Sequence, residues 1–209
     1  EQTRNDLASR VDLLLKLKKV HDKANLLVIK LSHTKETIRD LEDQDSITRL
    51  YNLSYINTRL EKEFRHAERF QVPLSFLIVS IESFQNLTHS KGPSYAIKLL
   101  QQLGNDLIHL TRADDIVGRS WGGDFYIILP ETKNEGAENL KIRITTHIQE
   151  QTYGLDGDKI KLELNFGVST YTGELLPEMN VRDVLFKAEE ALKANILLKA
   201  SHKMIKIAN

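Results

Sequence analysis

Arg119-Ser120-Trp121-Gly122-Gly123-Asp124-Phe125-Tyr126-Ile127-Ile128-Leu129-Pro130 decides how this chain is read. Two adjacent glycines and one carboxylate open directly into an apolar run. Glycine adopts positive φ without penalty and lets backbone approach closely, so Gly122 and Gly123 predict a tight reversal. The aromatic and β-branched run behind them predicts a buried strand. A reversal placed there can aim Asp124 into a cleft.

The remaining segments surround that hairpin. Leu74-Ser-Phe-Leu-Ile-Val-Ser-Ile81, entered by a turn at Pro73, reads as a buried central strand. Before it, residues 53–70 space Ile56, Leu60, Phe64 and Ala67 along one helical face. A helix near 93–111, a strand near 116–119, the signature strand 125–129 and a helix near 134–150 come next. Gly154 and Gly157 predict a hairpin turn. A strand over 160–170, a helix over 181–198 and a closing strand over 203–207 complete the chain. Strands mixed with helices of this length predict an α/β layer structure.

Residues 1–44 contain no glycine and no proline. Leu13, Leu17, Val20, Ala24, Leu27, Leu31, Thr34, Ile38 and Leu41 keep a 3-4 rhythm, the seam of a coiled coil. The expectation is a helix that dimerises with a second copy in parallel; the alternative is a helix folded back on its own domain. The division expected is 1–44 as the coiled-coil helix and 45–209 as the globular domain.

Composition excludes several classes. With 209 residues, 41% apolar and 28% charged, the chain can bury a core, and disorder is not expected. A formal net charge of zero points away from nucleic acid and anionic membranes. Without cysteine there are no disulfides and no thiolate metal sites. The seven histidines show no paired ligand spacing. No run reaches the roughly 18 apolar residues of a membrane span, and no signal peptide is visible.

The signature segment resembles that of GGDEF domains, the bacterial diguanylate cyclases that join two GTP into cyclic di-GMP. Anchored on Arg119 and Phe125, the five family letters fall on Trp121, Gly122, Gly123, Asp124 and Phe125. Asp45-Ser-Ile-Thr-Arg-Leu-Tyr-Asn52 resembles the family's D-x-L-T-G-L-x-N motif, with Arg49 in place of the glycine. The resemblance covers residues 45–209. It implies a central, mainly antiparallel sheet flanked by helices, like that of nucleotidyl cyclases and polymerase palms, preceded by a signalling helix. It also implies a cytoplasmic bacterial protein.

The chemistry implied by the resemblance is mixed. Joining two GTP needs divalent metal, and magnesium takes hard carboxylate oxygens. The two family metal carboxylates fall on Ser80 and Gly123; Glu82, Gly122 and Asp124 complete the vestigial site. The guanine-reading positions fall on Thr88 and Ile97, and the triphosphate-binding Lys and Arg on Ile196 and Ala200, with Lys199 close by. The expectation is no cyclase activity and no bound magnesium. The family's inhibitory R-x-x-D, in contrast, is matched by Arg112 and Asp115, its second arginine by Arg143, and Arg119 stands as a further contributor. An arginine fork can hold guanine O6/N7 and a carboxylate can accept from guanine N1–H and N2–H.

Three functions are compatible with this pattern. The first is an inactive domain that binds cyclic di-GMP as an effector. The second is a nucleotide-independent protein-interaction module with Trp121 as an anchor; that tryptophan could equally pack over the vacated GTP pocket. The third is a residual cyclase using Glu82 and Asp124. A protein partner is expected alongside the ligand.

Overall fold

The computed structural model of the chain describes residues 18, 23, 27, 43–155, 157–173 and 179–208. The chain divides into residues 1–43 and residues 44–209. The expected seam of the N-terminal helix, and dimerisation through it, lie outside the described residues apart from single positions. The fold and the candidate sites belong to the second unit.

Its first helix, α1 (Leu53–Phe70), starts at Asn52, whose side chain accepts from the Tyr55 amide, and ends at Gln71 in the left-handed conformation. It buries Ile56, Leu60, Phe64 and Ala67, the face read from the sequence. Then come β1 (Leu74–Ile81), α2 (Phe84–Lys91), α3 (Pro93–Leu110), β2 (Ile116–Arg119), β3 (Asp124–Pro130) and α4 (Asn134–Glu150). The chain continues through β4 (Tyr153–Leu155), β5 (Asp158–Ile160), β6 (Leu164–Tyr171) and α5 (Val181–Ala208).

The main sheet has the order β2-β3-β1-β6, and every neighbouring pair is antiparallel. Strand β1 is central, and its side chains alternate between two cores, as strand geometry requires. Leu77, Val79 and Ile81 join Leu99, Leu103, Phe125, Ile127 and Ile144 on the α3/α4 side. Leu74, Phe76 and Ile78 join Ile56, Leu60, Ile128 and Val184 on the α1/α5 side. The α/β architecture with an antiparallel sheet flanked by helices is as expected.

Three expectations need correction. The closing strand over 203–207 is the last part of α5. Nothing between Val181 and Ala208 breaks a helix, since that stretch has neither glycine nor proline, and Lys203 is held there by Glu82 and Glu163. The strand over 160–170 is two strands. Ile160 pairs with Tyr153 in the small hairpin, and only from Leu164 does the chain pair with β1. Helix α2 stands where the sequence pattern predicts no element; Ser83 turns the chain off β1 with φ +55°.

Strand β2 positions the candidate residues. The loop before α1 is laid along it. The Tyr51 amide donates to Val117 O at 3.4 Å, and the Arg119 amide donates to Tyr51 O at 2.7 Å. Gly118 permits this: a Cβ there would collide with the Ile56 side chain and stand 2.8 Å from Tyr51 O. Asp45 fastens the same loop. Its Oδ1 accepts from the Thr48 amide (2.8 Å) and hydroxyl (2.7 Å), and its Oδ2 accepts from Arg119 Nη1 at 2.9 Å.

Candidate functional site

Two turns bracket the four residues of β2, and the candidate residues lie on them. The signature turn comes directly after β2. Antiparallel register sets Ser80 of β1 opposite Asp124 of β3. The Ser80 hydroxyl donates to Asp124 Oδ1 at 2.6 Å, so the two groups close on each other. Burial pushes the Asp124 carboxyl above the usual range, and the Ser80 hydrogen bond offsets part of that.

Gly123 stands where the family resemblance places a carboxylate. A Cβ at that position would lie 2.7 Å from Phe84 Cγ and 2.9 Å from Phe84 Cβ. The phenyl ring of Phe84 thus occupies the space a side chain would need. Gly122 carries φ +64° with open space around it. Trp121 is 81% exposed, which rules out its packing over a vacated pocket.

Glu82 is engaged as well. Lys203 Nζ donates to Glu82 Oε1 at 2.6 Å and to Glu163 Oε2 at 2.7 Å. Those hydrogen bonds, Glu163's first, raise the Lys203 ammonium above its ordinary pKa, and the Lys203 bond lowers that of Glu163. Glu82 Oε2 lies buried without a partner, but no group of three acidic or histidine side chains gathers around it or elsewhere among the described residues. Magnesium takes several oxygen ligands, usually including carboxylates. A serine hydroxyl, a carboxylate tied to that hydroxyl and a carboxylate bridged by lysine do not fit it.

The base- and phosphate-reading positions are no better equipped. The Thr88 hydroxyl donates back to Phe84 O at 2.9 Å, and Ile97 is exposed. Lys199 donates to Leu164 O, a backbone partner within its own fold.

The other turn, Arg112–Asp115, leads from α3 into β2. Asp115 Oδ2 accepts from the Arg112 amide at 2.7 Å, and the Asp115 amide donates to Arg112 O at 3.1 Å. This self-closed turn leaves the guanidinium pointing outward: no described residue accepts a hydrogen bond from it. Burial raises the Asp115 carboxyl above its ordinary pKa, against the opposing pull of the Arg112 amide and the Arg112 and Arg143 charges. Arg143, on α4, donates to Leu110 O at 2.6 Å and lines a cavity of about 70 Å³ together with Arg112 and Asp115. Arg112 and Asp115 also line two larger clefts, of about 430 Å³ and about 700 Å³. The three residues therefore come together, as their motif spacing predicts.

Arg119 sits elsewhere. Its side chain is only 10% exposed, held by Asp45 and by Gly122 O at 3.0 Å. Burial alone would raise the Asp45 carboxyl, but the Thr48 and Arg119 contacts bring it below the usual value. Arg119 fastens the frame between the two turns. Sequence reasoning overlooked Phe84 as the group that fills the signature turn, and Tyr51 and Arg59 as walls of the largest cleft at Arg112. Tyr51 belongs to the Asp45–Asn52 motif, so a signal for it was present.

The family described as "Diguanylate cyclase, GGDEF domain" matches residues 42–200. The diguanylate cyclase DosC of Escherichia coli (strain K12) is 25% identical over 170 residues, covering 81% of this chain and 36% of that protein. The chain thus spans about a third of the length of such curated relatives. The coiled coil and GGDEF domain of DgcB from Caulobacter crescentus, solved in complex with c-di-GMP, superposes with a TM-score of 0.77 at 15% identity, covering 85% of this chain and 93% of that one. The diguanylate cyclase SiaD from Pseudomonas aeruginosa, solved with its activator SiaC, gives 0.70 at 17% identity, covering 93% and 74%. The chain belongs to the GGDEF family.

Proposed function

We propose that this chain is a GGDEF domain that binds cyclic di-GMP at Arg112, Asp115 and Arg143 and does not convert GTP. The observation that carries the reading is the convergence of those three side chains on one cavity, with the Arg112 guanidinium hydrogen-bonded to no described residue. In this reading the Arg112 fork takes guanine O6/N7 and Asp115 accepts from the guanine amide edge. Arg143 supplies a second fork once it exchanges Leu110 O for the ligand.

The signature turn supports the inactive half of the proposal. Turnover needs magnesium, and Ser80, Gly123 and Glu82 offer it no carboxylate set. Phe84 holds the space at Gly123. The DgcB structure, a family member with c-di-GMP bound, makes the ligand chemically reasonable for this fold. Dimerisation through residues 1–44, with 45–209 as the responding domain in the bacterial cytoplasm, completes the proposal; no helix among the described residues is long and apolar enough to cross a membrane.

A second reading has its own observation. Trp121 is 81% exposed on a glycine-supported turn, and exposed tryptophans anchor many interfaces. A protein-interaction module that ignores nucleotides would use that surface, and SiaD shows a family member with a protein bound. Calorimetric titration of the chain with cyclic di-GMP, beside Arg112→Ala, separates the two. Saturable binding weakened about a hundredfold in the variant supports the effector; no heat with wild type supports the module. Incubation with GTP and magnesium should yield no cyclic dinucleotide; any product reverses the inactive assignment.

A further inference from the structure

The largest of the three clefts at Arg112 has a wall that the R-x-x-D reading does not use. Tyr51, Tyr55, Arg59 and Glu63 face the same space of about 700 Å³ as Arg112 and Asp115. Tyr51 and Tyr55 stack with ring centroids 3.9 Å apart and planes inclined by 10°. Tyr55 covers one face of the Tyr51 ring, while Tyr51 remains 37% exposed and lines the cleft. The ring is not loosely placed. The Tyr51 backbone is bonded on both sides to β2, the strand that begins one residue after Asp115.

The charge of this cleft says which part of a ligand enters. Its lining carries two guanidiniums, Arg59 and Arg112, against four carboxylates, Glu63, Asp114, Asp115 and Glu131. A phosphate would meet a surplus of negative charge. A guanine edge would not: its N1–H and N2–H groups are donors, and O6 and N7 suit an arginine fork. Arg59 pairs with Glu63 at 2.8 Å, and its side chain is 41% exposed at the cleft, so the pair stands at the rim where a guanine edge would lie.

We propose that Tyr51, backed by Tyr55 and flanked by Arg59 and Glu63, is a guanine-stacking subsite that extends the Arg112–Asp115 site onto α1. This rests on the proposed cyclic di-GMP binding and adds a base platform and a reason for guanine selectivity. Stacking is indifferent to which base it holds, whereas the acceptor-rich rim is not, because adenine lacks the N1–H and N2 amino donors.

The test titrates the full chain with cyclic di-GMP and cyclic di-AMP, comparing wild type, Tyr51→Leu, Tyr51→Phe and Arg112→Ala. Tyr51→Leu should weaken cyclic di-GMP by about fivefold to a hundredfold, the range of one base–aromatic stack, and Tyr51→Phe should restore it. Cyclic di-AMP should bind wild type at least about tenfold more weakly. Ring resonances of Tyr51 in the tyrosine-labelled wild type, assigned through Tyr51→Phe, should shift on ligand addition. That readout does not depend on how Tyr51→Leu folds. Unchanged Tyr51 resonances, or Tyr51→Leu binding like wild type while Arg112→Ala loses binding, overturn the subsite and leave the effector reading standing. No binding by wild type removes both.

Discussion

The two turns at the ends of β2 make the instructive comparison. Four residues separate them, roughly 13 Å of strand. At the signature end the polar groups are spent within the fold: Ser80 on Asp124, Lys203 on Glu82 and Glu163, with Phe84 filling the space beside Gly123. At the Arg112 end the turn is closed by backbone and Asp115 alone, and the guanidinium faces open clefts. Both ends share one frame, fastened by Asp45, Arg119 and the loop lying along Gly118. One short strand therefore presents a turn whose polar groups close on the fold and a turn whose guanidinium stays open.

The largest way to break the comparison is to cut the shared frame. Arg119→Ala leaves the largely buried Asp45 carboxylate with its Thr48 hydrogen bonds alone and should cost about 3 kcal/mol, lowering the melting temperature by roughly 6 to 12 °C. Ligand affinity should fall with it, although Arg119 lines none of the clefts at Arg112. Unchanged melting would show that the two ends do not depend on this anchor.

Next in size is an attempt to reopen the signature end. Gly123→Glu drives a side chain into Phe84 and should destabilise by about 2 kcal/mol, read from denaturant unfolding. Adding Phe84→Ala should recover part of that loss, because the two share one space. Equal stability of wild type and Gly123→Glu would mean that the ring yields without cost.

Arg49 offers a smaller change in the opposite direction. It holds φ +63° at the position where the family motif has glycine. Arg49→Gly should stabilise by up to about 1 kcal/mol, the strain of a left-handed residue less the added freedom of the unfolded chain.

The smallest effect separates the ends by pH. Asp45 has a lowered pKa, so its contribution to stability is present above the unfolded value near 3.9 and is lost as pH falls through the lower, folded value. Asp124 has a raised pKa, so its charge costs stability as pH rises from about 3.9 through the higher, folded value. Asp124→Asn, which keeps an oxygen for Ser80, should thus gain on wild type as pH rises above about 4. Asp45→Asn should lose most at neutral pH and least in acid. Melting curves from acid to neutral pH would show the two trends diverging.

Much of this was legible in the sequence because it depends on local pattern. The 3-4 spacing of Ile56, Leu60, Phe64 and Ala67 and the β-rich run of β1 located their elements, and the motif offsets brought Arg112, Asp115 and Arg143 together. The features that escaped depend on contacts between distant segments. No local pattern signals that Phe84 lies against Gly123 or that Arg119 reaches Asp45; Tyr51 lies within the Asp45–Asn52 motif, but its place beside Arg112 comes from the pairing of that loop with β2. The tail beyond residue 198 misleads because Ile205 and Ile207 alternate with Lys206 and suit a short strand, while helix propensity and the Lys203 bridges to Glu82 and Glu163 keep it helical.

The most direct test is an amide-resolved NMR titration of the chain with cyclic di-GMP and, separately, with GTP and magnesium. Saturable cyclic di-GMP shifts are predicted at Arg112–Asp115, Arg143 and Tyr51, with Ser80 and Trp121–Asp124 unmoved by either addition. Shifts concentrated at Ser80 and the signature turn would contradict the effector reading, because the nucleotide would then be occupying the end of β2 held to be closed.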